Sequence, residues 1–158
     1  MRSDPIPVQL LATVSGSSDD QMFMVLFRYI SGDNHPRTKI AMTAPVISGT
    51  TIPMTAPVIS GAGTMSFVMP EEHTRSTLPE PLDTAVTIRE VPARTLAVIR
   101  FSGSADEQNV RKMTALLDFT LKKEGMTVIG TPFLMRYNSP WIPGFLRRNE
   151  VGIEILPG

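Results

Sequence analysis

Met42-Thr43-Ala44-Pro45-Val46-Ile47-Ser48-Gly49 recurs, residue for residue, as Met54-Thr55-Ala56-Pro57-Val58-Ile59-Ser60-Gly61, a shift of twelve positions. Each copy has an isoleucine two positions upstream, Ile40 and Ile52. Apolar residues therefore alternate along both copies (Ile40, Met42, Ala44, Val46; Ile52, Met54, Ala56, Val58), the period of a strand with one buried face. A proline inside each copy removes a ladder donor and assigns the strands to an edge, a bulge or a strand end. Ser48-Gly49 between them is turn chemistry, so a hairpin of two near-identical strands follows. Repetition by itself leaves a second reading open, a local tandem duplication without function.

Working outward, residues 8–14 form a short apolar run between Pro7 and Ser15-Gly16 and read as a strand. Ser17 caps a following helix, with Asp19 and Asp20 at the positive end of its dipole. Met22, Val25, Leu26, Tyr29 and Ile30 make its core stripe, and Gly32 sits where it would end. Phe23, Met24 and Phe27 fall off that stripe, a second apolar ridge that needs something else to pack on. Barrel wall or a subunit contact would serve, and so would a ligand. Beyond the hairpin, residues 65–69, 86–90, 94–101, 126–136 (interrupted by Pro132) and 151–156 read as strands. Ser104 and Glu107 have the spacing of a capping box, opening a helix lined by Val110, Met113, Leu116, Leu117 and Leu121 and stopped by Gly125. Residues 137–149 form an aromatic, proline-rich loop.

The chain also matches itself at an offset of 87. Ser15-Gly16-Ser17 falls on Ser102-Gly103-Ser104, Asp19 on Asp106, Gln21 on Gln108, Pro5 on Pro92 and Pro45 on Pro132. These are turn and cap positions, where residue type specifies backbone geometry most closely. The expected architecture is α+β: a distorted antiparallel β-barrel of two pseudo-repeated βαββ-type units, about 5–70 and 84–157, flanked by two helices. The first strand of the first unit would map to about residues −3 to 3, so it is expected to be largely missing, leaving an exposed edge that offers a route to a homo-oligomer.

At 158 residues one domain suffices, and it buries roughly 68–70% of its unfolded surface without help from disulfides. There is no cysteine, which fits a reducing, cytoplasmic setting. Fifteen basic residues balance fifteen acidic ones, so no field argues for nucleic acid or an anionic membrane. No apolar run approaches the ~20 residues that span a bilayer. Met1-Arg2-Ser3-Asp4-Pro5 is neither a signal nor a transit peptide.

Several ordered segments together resemble the SOUL haem-binding protein family. They are Lys39-Ile40-Ala41-Met42-Thr43-Ala44-Pro45-Val46, Met65-Ser66-Phe67-Val68-Met69-Pro70, Arg89-Glu90-Val91-Pro92-Ala93-Arg94 and Arg147-Arg148-Asn149-Glu150-Val151, with Phe27-Arg28-Tyr29-Ile30 before Gly32. The resemblance runs from about residue 8 to 156. It implies the barrel of two βαββ-type repeats and reversible binding of haem or another tetrapyrrole, in a carrier or buffering role. The related bacterial effector-binding domains share the architecture and bind varied small molecules, so the alternative is a module for another amphipathic ligand or a protein partner.

Haem wants a flat apolar slot, an axial ligand in some proteins, and cations near its propionates. Phe23, Phe27, Met42, Met54, Tyr137, Trp141 and Phe145 are the candidates for the slot. Arg147 and Arg148 are the candidates for the propionates, because arginine pairs carboxylates bidentately. The competing role for these two arginines is an ion pair with Glu150 or Glu90. Alternation makes Met42 and Met54 better core fillers than iron ligands. His35, before a proline, and His73, among charges, read as solvated side chains. Two histidines and no cysteine give no metal-ligand spacing. Ser102 and Ser104 belong to a helix cap, no catalytic constellation is present, and the chain is not expected to be an enzyme.

Overall fold

The computed structural model describes residues 1–35, 52, 57–137, 143 and 146–157. The first copy of the doubled phrase lies outside the described residues, as do Met42, Met54, Trp141 and Phe145. The fold is α+β, with antiparallel strands and two helices, and it divides into two compact units.

The first unit comprises Met1–Val8, Ala56–Ala62 and Pro92–Gly158. Its strands are β1 (Arg2–Ile6), β4 (Val58–Gly61), β8 (Arg94–Ser102), β9 (Phe133–Arg136) and β10 (Arg148–Ile155), hydrogen-bonded in the order β1-β8-β10-β9-β4. One face of this sheet is covered by helix α2 (Glu107–Glu124). Ala97, Ile99, Val151, Ile153 and Ile155 alternate onto that face and meet Leu117 and Leu121. Each such leucine, fully buried, contributes roughly 1.5–3 kcal/mol. The helix opens on Asp106, whose carboxylate accepts from Asn109 N at 2.8 Å, not on Ser104. Aspartate next to the first turn also meets the dipole with a full charge, which a serine lacks. It ends at Gly125 in the left-handed region (φ 69°), where glycine alone carries no steric penalty. Leu116, expected in the core stripe, is 48% exposed. It lies a quarter turn off the line through Leu117 and Leu121.

The second unit comprises Gln9–Thr55 and Gly63–Val91. Strands β5 (Thr64–Val68), β2 (Gln9–Ser15) and β7 (Thr87–Val91) pair in that order, with Ala12 opposite both Phe67 and Ile88. Helix α1 (Asp19–Ile30) lies against β2 and β5 and buries Met22, Leu26, Tyr29 and Ile30. Its cap is Ser18, whose hydroxyl accepts from Gln21 N at 3.3 Å, one residue later than the sequence suggests. A two-residue ladder, β3 (Asn34–His35) with β6 (Glu80–Pro81), closes the segment after the helix. The Tyr29 hydroxyl donates to Pro79 O at 2.6 Å and ties that segment to α1.

Four residues of the second copy of the doubled phrase, Val58-Ile59-Ser60-Gly61, form β4, and Ser60 is buried. The chain then turns through Ala62 (φ 52°) and Gly63 (φ 73°), both in the left-handed region that glycine enters without steric penalty.

Two strands also differ from expectation. The opening strand is present, as β1, paired to β8 from Arg2↔Val98 to Ile6↔Arg94. The residues of β1 that share one face are Arg2, Asp4 and Ile6, two of them charged, so apolar alternation gives no signal for it. The strand expected over 126–136 is confined to Phe133–Arg136, just after Pro132, which has no N–H to donate. Before it, Val128 makes only an isolated bridge to Ile155.

Candidate functional site

The face of the first unit's sheet opposite α2 carries a linked group of charged side chains. Successive strand residues point to opposite faces, so β10 divides cleanly. Asn149, Val151, Ile153 and Ile155 fall on the α2 side, while Arg148, Glu150, Gly152 and Glu154 fall on the other. Directly opposed partners share a face. Glu150 is opposed by Arg100 of β8 and Met135 of β9, and Gly152 by Val98 and Phe133. Arg2 is opposed by Val98 and Asp4 by Leu96. Buried Leu96, Val98 and Met135 form the apolar floor, with Ile6, Ile59, Phe133 and Tyr137 packed against it. Gly152 has no side chain to spare: a Cβ there would stand 2.7 Å from Met135 Cε and 3.2 Å from Phe133 Cε2.

In this apolar floor Glu150 is fully buried, with a side-chain exposure of 0%. Its Oε2 accepts from Nη2 of both Arg2 and Arg148, the latter at 3.4 Å. Among the described residues no donor stands in close hydrogen-bonding geometry to its Oε1. Arg2 reaches Glu150 from β1 across β8 while its Nε donates to Asp4 Oδ2 at 2.7 Å. Asp4, chiefly, and Glu150 beyond it keep Arg2 firmly protonated against the opposing effect of burial. The Arg148 guanidinium lies 4.3 Å from the centre of the Tyr137 ring, within cation–π range. Burial first, then hydrogen bonding to the Glu150 carboxylate and that group's charge, pushes the Tyr137 phenol well above its ordinary pKa: burial disfavours any charge, and the carboxylate favours a protonated donor and repels a phenolate. A second cation–π pair, Arg94 at 5.3 Å from the Phe133 ring, sits farther along the same face.

Of the residues named from sequence, Tyr137 and Arg148 are brought together here, with Arg147 adjoining in the chain. The ion pair between Arg148 and Glu150, one of the competing roles, is realised at 3.4 Å. Phe23 and Phe27 belong to the second unit. Their rings stack at 6.0 Å, and Phe23 also meets Phe67 edge-on at 5.4 Å, so it extends the core of that unit. Phe27 and Met24 are exposed on the outer side of α1. His35 is exposed and His73 half-buried. Among the described residues no group of three or more His, Cys, Asp or Glu side chains could hold a metal ion. The second unit has a cleft of about 430 Å³ lined by Arg75, Ser76, Leu78, Pro79, Glu80, Pro81 and Ile88, none of them anticipated. Glu150, Arg2 and Gly152 were also not named as site residues. The available signal was the alternation of β10, apolar at 151, 153 and 155 against charge at 148, 150 and 154.

The chain matches the family of the SOUL heme-binding protein over residues 7–154, and it belongs to that family. No curated protein matches it in sequence. Among solved structures it is similar to the EcmrR C-terminal domain, at TM-score 0.61 and 11% identity, over 99% of this chain and 97% of that one. A hydrolase from Listeria innocua is similar at TM-score 0.59 and 13% identity, over 98% of this chain and 91% of that one. An uncharacterized conserved protein from the same organism is similar at TM-score 0.59 and 10% identity, with the same coverage. At such identities the likeness is one of fold. No helix among the described residues is long and apolar enough to cross a membrane.

Proposed function

We propose that this protein is a single SOUL-type domain, built of two repeated units, that binds haem or a related tetrapyrrole reversibly and serves as a cytoplasmic carrier or buffer without catalysing a reaction. The observation that carries this is membership of the heme-binding family over nearly the whole chain. The donor set fits the group: half-exposed guanidiniums beside the half-buried rings of Tyr137 and Phe133 suit a flat ligand with acidic side chains. In the first unit Tyr137 is the candidate for contact with the ring and Arg147 and Arg148 for the propionates. Phe23 and Phe27 are the candidates of the second unit, and Met42, Met54, Trp141 and Phe145 complete the set named from sequence.

Titration of the purified protein with hemin, a metal-free porphyrin and a bile pigment tests this. Saturable one-to-one binding of hemin is expected, with the Soret shift retained when His35 and His73 are both replaced by alanine. Loss of the Soret shift in that double variant would assign a histidine to the iron instead. Equal affinity for unrelated amphipathic molecules would favour a general ligand-binding module, and no binding of any tetrapyrrole would end the haem reading.

A further inference from the structure

A buried carboxylate is costly, and a core of apolar residues of similar volume is commonly as stable or more so. Glu150 carries that cost in the middle of a sheet face, with one oxygen shared by two guanidiniums from strands that do not pair with each other. The two arginines keep side-chain exposures of 41% and 38%. Their anchor is thus hidden from solvent while their remaining surface faces outward. Since both donate to one oxygen, their guanidinium centres lie within about 8 Å of each other, two hydrogen bonds and two C–N bonds apart. Like charges this close need a counter-charge to stay together. Arg100, exposed and directly opposite Glu150, adds a third guanidinium on the same face. Among the described residues this face carries Arg2, Arg94, Arg100 and Arg148 against Asp4, Glu150 and Glu154, a net charge of one positive.

We propose that Glu150 is a positioning residue that holds Arg2 and Arg148 side by side as a clamp for the paired carboxylates of an amphipathic dicarboxylate. Arg2, on the edge strand, is thereby a ligand-contacting residue, and the half-buried Ile6, Phe133 and Tyr137, which cover the core of this face, meet the body of the ligand. This rests on the tetrapyrrole reading and narrows it: the acidic side chains, rather than the metal, decide which tetrapyrrole is held. A fork-shaped donor held in place loses less freedom on binding a carboxylate than one free to move, so loss of the anchor weakens the acid selectively.

Soret titrations of the full chain with hemin and with hemin dimethyl ester, which lacks the two charges, provide the test. The wild-type protein is expected to prefer the diacid. Glu150→Gln, which keeps the volume, should weaken diacid binding roughly tenfold, the worth of one charge-assisted contact, and leave the ester nearly unchanged. Arg2→Gln, on an exposed edge, should do the same and serves if Glu150→Gln does not fold. A merely structural role would move both ligands together. Wild-type protein that binds diacid and ester equally, or variants that keep the wild-type ratio of the two affinities, would overturn the clamp and leave the tetrapyrrole reading standing. Failure of both ligands to bind wild-type protein would overturn both.

Discussion

Gly152→Ala adds one methyl group to the floor beside Glu150, and its cost follows from three contacts. The new Cβ would lie 2.7 Å from Met135 Cε, 3.2 Å from Phe133 Cε2 and 3.3 Å from Phe133 Cζ, where ordinary contact begins at 3.4 Å. The tip of Met135 is flexible and can retreat, but that side chain is buried with Leu96 and Val98 and has little free space. The Phe133 ring is stiffer and must tilt as a unit. Inserting a methylene-sized group into a packed core costs about 1–3 kcal/mol. Alanine recovers about 0.5–1 kcal/mol of backbone entropy relative to glycine in a strand. The net expectation is a loss of about 1–2 kcal/mol, which lowers the melting temperature by roughly 2–8 °C for a chain of this size. Urea unfolding followed by circular dichroism measures it, with Gly130→Ala as the control. There the new Cβ would meet only Glu154 Cβ at 3.8 Å, and a change within about 0.5 kcal/mol is expected. Met135→Val removes the closest atom, so the penalty of Gly152→Ala should shrink in that background. A Gly152→Ala protein as stable as wild type, or a penalty of the same size in the Met135→Val background, would refute the packing of Met135 over Gly152.

Two further outcomes are expected. Asp106→Ala should cost about 1 kcal/mol of stability while Ser104→Ala costs little, because the observed cap bond runs from Asn109 N to Asp106 Oδ1; the reverse order in denaturant midpoints would restore Ser104 as the cap. Tyr137 is held above its ordinary pKa in the folded protein, so its contribution is complete below the unfolded value, about 10, and is lost as pH rises beyond it, where the unfolded chain releases a proton that the folded one retains. The denaturant midpoint of wild type should therefore fall more steeply than that of Tyr137→Phe between about pH 9 and 11, and parallel curves would contradict the burial of the phenol beside Glu150.

Much of the element order was legible because local chemistry specified it. The stripe Met22, Leu26, Tyr29, Ile30 identifies α1, and Leu117, Leu121 and the stop at Gly125 identify α2, since 3.6-residue periodicity survives whatever the helix packs on. Strands β2, β5, β7 and β8 were found from apolar alternation or short apolar runs between turn residues. Strand β1 escaped, because Arg2 and Asp4 occupy positions where an apolar residue would have shown the period. Leu116 was misassigned for the opposite reason: hydrophobicity marks a residue as able to be buried, and only the neighbouring strands determine which side of a helix is covered.

The candidate site divides in the same way. Arg148 and Tyr137 were named from residue type, and Glu150 entered only as a competitor for Arg148; Arg148 is eleven residues along the chain from Tyr137 and two from Glu150. Arg2 could not be connected to them by any local rule, being 146 positions from Arg148.

The sequence by itself determined the α+β class, the helices, most strands and the family, because caps, turns and periodic patterns act over a few residues. Only the tertiary structure decided that β1 lies beside β8 and β10 on its other side, which brings Arg2 and Arg148 to one buried carboxylate. It also decided that Gly152 leaves room for Met135 and Phe133. Strand pairing joins residues without regard to their separation along the chain. The charge and space around Glu150 exist only once three strands are in register.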